Sequence, residues 1–226
     1  MPEIAKNLAA VRERIAAACR RSGRREEDVT LVAVTKTVTP AEVAELYRLG
    51  VRDFGENRVA DGLERKTALD RPDARWHMIG HLQRNKAAAA LAGGFVRIHS
   101  VESPKLVETL DRECGKLGLV AEILLEINIS GEDAKYGVAP EEAAGLAEAA
   151  VRLTNVRLVG LMTMAPFTDN PETSRPVFRG LASLRSDLGR RLGIELPHLS
   201  MGMTGDFETA VEEGATLVRV GTALFA

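Results

Sequence analysis

The sequence predicts a single (β/α)8 TIM barrel preceded by an extra amino-terminal helix. Three observations carry this expectation. Short apolar runs alternate with longer helical patterns, the runs number eight, and no long linker or low-complexity stretch interrupts them. Strands that alternate with helices imply parallel pairing, because each return to the same edge needs a crossover. Eight such units in about 200 residues match a closed barrel. An open doubly wound sheet is the rival, but it usually carries a glycine-rich turn after its first strand. Here that turn reads TKTVTP, without glycine.

The elements follow in order. Residues 1–28 read as a helix and turn, and residues 29–226 as the barrel, in one domain. The opening stretch MPEIAKNLAAVRERIAAACRR is amphipathic and charged, with no uninterrupted apolar core, so it is not a signal peptide. It is expected to cover the outside or the bottom of the barrel. The eight runs are LVAVTK from Leu31, VRDFGEN from Val51, RWHMIG from Arg75, VRIHSV from Val96, VAEILLEINIS from Val120, VRLVGLMTM from Val156, PHLSMG from Pro197 and TLVRVG from Thr216. Thr39 before Pro40 and Ser103 before Pro104 mark two helix starts, since a hydroxyl caps the first turn and proline is pre-set for it. Other helices are expected from about Arg58, Leu82, Pro140, Pro171 and Asp206, with Gly50, Gly118 and Gly193 at helix ends.

Bulk properties exclude several function classes. A net charge of −2 gives no global field favouring nucleic acid or an anionic membrane. The basic cluster Arg20, Arg21, Arg24 and Arg25 reads as a solvated helix end rather than a nucleic-acid patch. Cys19 and Cys114 sit far apart in helical patterns, which is neither a disulfide framework nor a metal-ligand spacing. No run approaches the roughly 18 to 20 apolar residues of a membrane span. A cytoplasmic protein with reduced thiols is expected.

In this fold, chemistry sits on loops at the carboxyl ends of the strands. Lys36 ends the first run, where an apolar wall would disfavour its charged form and leave an amine able to attack an aldehyde. Taken alone, it reads equally as a lysine reaching past a strand end to solvent. Asn57 ends the second run and His81 follows the third; each alone reads as an ordinary helix cap. His77 and His99 lie within strands and read as satisfied interior residues, and the four histidines have no metal-site spacing. The stretch from Ser200 through Met201 and Gly202 to Asp206, with Arg219, Gly221 and Thr222, closes the seventh and eighth units. Small residues there let main-chain amides approach an anion, and barrels often bind phosphate between these two loops. The alternative is two tight turns rich in small residues. By parity Leu217, Arg219 and Gly221 share one face; an inward arginine is costly unless it meets an anion or a cofactor edge.

Seven motifs make the pattern specific: AVTKTVTP around Lys36, FGENRV from Phe54, WHMIGHLQRNK from Trp76, NISGEDAKYG from Asn128, GLMTMAP from Gly160, LSMGMTGDFETA from Leu199 and VRVGTALF from Val218. With these motifs the whole chain resembles the pyridoxal phosphate homeostasis protein family. The resemblance implies a fold-type-III barrel like the amino-terminal domain of alanine racemase, holding pyridoxal 5′-phosphate as a Schiff base on Lys36. It implies phosphate contacts from Ser200 and the Gly221-Thr222 turn, Arg219 on the pyridine nitrogen side, and Asn57 and Met201 lining the pocket. It implies buffering and delivery of the cofactor to apo forms of dependent enzymes by a monomer, with no catalytic residue and no metal. The alternative is a weak amino-acid racemase or lyase on the same cofactor; a Schiff-base aldolase without cofactor is a third class. Racemisation needs a base on each face of the cofactor. The only tyrosines are Tyr47, on the first barrel helix, and Tyr136, on a loop.

Overall fold

The computed structural model describes residues 2–132 and 136–226. Asp133 to Lys135, inside the NISGEDAKYG motif, lie outside the described residues, and so does the question of whether residues 131–137 close over the mouth. Eight strands form a closed parallel barrel in sequential order: β1 Thr30–Val34, β2 Asp53–Glu56, β3 Arg75–Met78, β4 Phe95–Val101, β5 Ala121–Glu126, β6 Val156–Met162, β7 His198–Ser200 and β8 Leu217–Val220. All eight fall on the predicted apolar runs. The seam closes by pairing β1 with β8, Thr30 opposite Leu217 and Val32 opposite Arg219.

The helices are α1 Pro2–Ser22, α2 Pro40–Arg48, α3 Val59–Leu69, α4 Ala87–Ala92, α5 Pro104–Leu117, α6 Ala143–Val151, α7 Arg175–Leu192, α8 Phe207–Glu212 and α9 Thr222–Phe225. Thr39 and Glu42 cap α2 reciprocally, and the Ser103 hydroxyl accepts from Leu106 N at the start of α5. Gly50, Gly118 and Gly193 all take positive φ at helix ends, as expected.

Three predicted starts shift, and for the segment from Pro140 residues 140–142 form a turn, so α6 begins at Ala143. The segment from Leu82 first makes a 3-10 turn at Arg84–Lys86, so α4 begins at Ala87. The segment from Pro171 makes a 3-10 turn to Ser174, and α7 starts one residue before Pro176. Proline has no N–H to extend an existing helix, but it fits the first turn of a new one.

α1 lies outside the barrel, against α2, α8 and α9, over the seam. The four-residue α9 is too short to cover that stretch of wall alone, and Ile4, Leu8, Val11 and Ile15 of α1 complete the apolar layer. At the carboxyl end of α1, Arg24 Nη1 donates to the carbonyls of Val211 and Ala215 at 2.7 and 2.8 Å. No helix among the described residues is long and apolar enough to cross a membrane.

The barrel interior is divided. Val32, Leu124, Val159, Met162 and Leu217 fill one side with apolar side chains. His77, His99 and Ser200, all fully or almost fully buried, fill the other with a hydrogen-bonded file.

Candidate cofactor site

A cleft of about 520 Å³ opens at the carboxyl ends of β1, β6, β7 and β8. Lys36, Thr37, Arg219, Gly221 and Thr222 line it together with Thr204, Gly205 and Asp206. Pro166, Phe167 and Thr168, from the loop after β6, form its far wall.

Lys36 stands two residues beyond the end of β1 and is exposed. The enclosing apolar wall expected from sequence is therefore open, because the side chain starts above the rim rather than inside it. Its loop is nevertheless held firmly. Arg65 of α3 donates from Nη2 to Lys36 O at 3.2 Å and from Nε to Val38 O at 3.2 Å. The same guanidinium pairs with Glu56 at 3.1 Å, and Glu56 accepts from the Thr35 hydroxyl. Burial pushes the Glu56 carboxyl upward against the pull of those partners. Sequence reasoning missed this support; the signal is a buried acid at the end of β2 with an arginine nine positions on.

Arg219 is buried, and parity places it correctly: Leu217 joins the interior apolar group, whereas Val218 and Val220 face the helices. Its Nη1 donates to Ser200 Oγ at 2.6 Å and its Nη2 to the Thr163 carbonyl at 3.0 Å. Burial lowers its pKa to about 10, which still leaves a cation at neutral pH; Glu126 and Asp206 oppose the shift. Among the described residues it makes no ion pair closer than 4 Å.

The turn after β7 is shaped for close approach. Gly202 has φ +89°, and a Cβ there would lie 2.5 Å from Ala210 Cβ and 2.9 Å from Phe207 Cα. An L side chain is excluded on both counts. Asp206 Oδ1 accepts from Met203 N at 2.7 Å and fixes the loop. Among the described residues, no acceptor pairs with the main-chain N–H of Thr204, Gly205 or Thr222. Thr204, Gly205 and Thr222 all line the one cleft.

The remaining sequence-predicted residues lie around this arrangement. Asn57 is half-buried at the end of β2, two residues beyond the Val34–Gly55 pair just as Lys36 is on β1, but it does not line the cleft. Ser200 is fully buried beneath the cleft, with its hydroxyl engaged by Arg219 and His99 rather than directed at the phosphate loops. The Met201 side chain is packed in the outer core between barrel and helices. Strand alternation accounts for this: His198 and Ser200 face inward, so Met201 faces outward. His81 pairs with Glu102 at 2.9 Å and stacks on Tyr136 with centroids 4.7 Å apart.

Comparison with known proteins gives a consistent result. The family described as alanine racemase, N-terminal domain, matches residues 6–226. A pyridoxal phosphate homeostasis protein of Aquifex aeolicus is 46% identical over 97% of this chain and 96% of the relative. The structure of PipY from Synechococcus elongatus with PLP bound superposes with a TM-score of 0.85 at 35% identity, covering 99% of this chain and all of that one. An alanine racemase of Clostridium difficile, 18% identical, superposes with a TM-score of 0.81 over 100% of this chain but only 56% of its own, which is a likeness of fold. With a near-full-length relative at this identity and the barrel matched end to end, the chain belongs to the pyridoxal phosphate homeostasis protein family.

Proposed function

We propose that the protein holds pyridoxal 5′-phosphate as a Schiff base on Lys36 and serves intracellular homeostasis of that cofactor, buffering it and delivering it in the cytoplasm. The observation that carries this reading is the convergence of Lys36, Arg219 and the Gly221-Thr222 turn on one cleft. Its size suits a small organic ligand. The free N–H groups of Thr204, Gly205 and Thr222 suit a phosphate, whose oxygens accept from main-chain amides at such turns. Gly221 keeps that wall free of side chain. The cofactor supplies an aldehyde that condenses with a primary amine, releasing water, and a phosphate that anchors its other end.

The residues present favour holding over turnover. Arg219 offers a fixed cation toward the ring-nitrogen side of a ligand in the cleft. Such a neighbour keeps a pyridine nitrogen unprotonated and weakens the ring as an electron sink. Racemisation needs two opposed bases. Tyr47 donates to Asp73 at 2.6 Å on the outer surface, and Tyr136 is stacked on His81; neither lines the cleft. The recipients are then apo forms of enzymes that use the cofactor, and the working unit is a monomer.

The test is an absorption spectrum of purified protein with pyridoxal 5′-phosphate, before and after borohydride, followed by peptide mapping. The expected result is a single reduced adduct on Lys36 that is lost in Lys36→Ala. An adduct on another lysine, or none, overturns the assignment. Incubation with amino acids in deuterated water separates the alternative, since a racemase or lyase exchanges the α-hydrogen and a holder does not.

A further inference from the structure

Behind Arg219, a file of buried polar side chains runs the length of the barrel interior. Ser200 Oγ lies 2.8 Å from His99 Nδ1, His99 Nε2 lies 3.0 Å from His77 Nδ1, and His77 Nε2 lies 2.9 Å from Asp53 Oδ1. Asp53, the first residue of β2, also accepts from Arg75 Nε at 2.8 Å and Nη2 at 2.5 Å. Five strands thus contribute to one file, from the amino-terminal rim to the cleft. His77 and His99 are both 0% exposed, so water cannot replace any link.

The chemistry of the groups gives this file a single direction. Asp53 is buried, which raises its pKa, but bonds from His77 and Arg75 outweigh this and hold it at about 2. As a carboxylate it only accepts, so His77 Nε2 carries a proton. Burial pushes both histidines downward, and the Arg219 cation beside His99 lowers that ring further, so each imidazole is neutral. His77 Nδ1 is then an acceptor that takes the proton of His99 Nε2. His99 Nδ1 in turn accepts the Ser200 hydroxyl proton, and the Ser200 oxygen accepts from Arg219. Each donor meets one acceptor, from Arg219 down to Asp53.

We propose that Asp53, His77, His99 and Ser200 are positioning residues for Arg219, a one-way hydrogen-bond relay that fixes its guanidinium in the cleft floor and couples it to the far rim. Without it, Arg219 would keep only its Thr163 contact and could turn within the cleft. The relay also explains why Ser200 has a hydroxyl: a methyl group would cut the file at its last link. The effect on bound cofactor rests on the pyridoxal phosphate reading above. The relay itself does not.

The Asp53 carboxylate sets the direction: its Oδ1 takes both Arg75 Nε and His77 Nε2, and its Oδ2 takes Arg75 Nη2, so it offers His77 no donor. The experiment is imidazole 15N–1H correlation NMR on the full chain labelled at histidine, without ligand and at neutral pH. Wild type is expected to show Nε2–H at both His77 and His99. Nδ1–H at either residue in wild type overturns the relay, whether or not any variant folds. Asp53→Ala removes the acceptor at the far rim and is expected to shift the ring signals of His99 as well as those of His77. A shift confined to His77 also overturns the relay, because the coupling then stops short of Arg219. The same variant is expected to hold pyridoxal 5′-phosphate roughly tenfold more weakly, with a changed absorption maximum, about the worth of one charged hydrogen bond. Unchanged affinity and spectrum with both sets of ring signals shifted would refute the control of Arg219. Lys36→Ala keeps the wild-type tautomers, so a failure of the Lys36 assignment reads out separately.

Discussion

Gly221 lies against Val34 where the barrel closes: a Cβ on Gly221 would stand 3.3 Å from Val34 Cβ and 3.5 Å from the Val34 carbonyl oxygen. This contact draws the last β-strand turn onto the first, and so puts Thr222 and Lys36 in one cleft. Gly221→Val is expected to wedge the two apart. Retention of pyridoxal 5′-phosphate should fall at least roughly tenfold, the cost of one or more lost anion contacts, for a stability loss of about 1–3 kcal/mol from overpacking. Equilibrium titration alongside urea unfolding distinguishes the two effects, and full retention would remove this turn from the site.

Glu126 provides a pH signature. It ends β5, is 3% exposed, and has its carboxyl raised to about 7 by burial first and by the Glu102 charge second, with Arg219 opposing. A raised carboxyl binds its proton more tightly in the fold than in the unfolded chain. Its contribution is therefore complete below the ordinary value of 4.5 and is lost as pH rises through about 7. The full loss is on the order of 3 kcal/mol. Unfolding free energy measured across this window should decline with pH, and Glu126→Gln should flatten the decline. An unchanged slope would show that the carboxyl ionises freely.

Arg24 fastens the amino-terminal helix. Its two bonds reach the carbonyls of Val211, in the last turn of α8, and of Ala215 beyond that helix. Arg24→Ala should cost about 2 kcal/mol in urea unfolding and leave cofactor binding unchanged. A neutral effect would mean that water replaces both contacts.

Phe167 tests the outer wall of the cleft. It is 97% exposed yet borders the opening. Phe167→Ser should alter unfolding free energy by less than about 0.5 kcal/mol, since it buries nothing. The rate of cofactor release should rise if the ring shields the imine from water. Identical release rates in wild type and variant would assign the ring no such part.

Much of this was legible in the sequence for identifiable reasons. Strand runs stand out because a barrel strand is covered on both faces, and Arg219 was placed by alternation alone. That Lys36, Gly221 and Thr222 line one cleft was legible because all three lie on βα loops at the carboxyl end of the barrel. Met201 was misplaced when read by motif position, although the alternation that put Ser200 inside puts Met201 outside. The open setting of Lys36 was not legible, and an apolar wall was expected there instead, since whether a loop residue is enclosed depends on the opposite wall. Nor was the Asp53–His77–His99–Ser200 file: its members come from four strands, and only closure of the sheet makes them neighbours.

Closure has a further cost for the growing chain. β1 finds its second partner only in β8, almost at the other end of the sequence. Until then β1 and the most recently made strand each present unpaired N–H and C=O groups, a template on which another chain can add. A nascent or truncated product ending before Thr216 is therefore adhesive rather than merely incomplete. Refolding should slow and aggregate with rising protein concentration, as long-range parallel pairing requires.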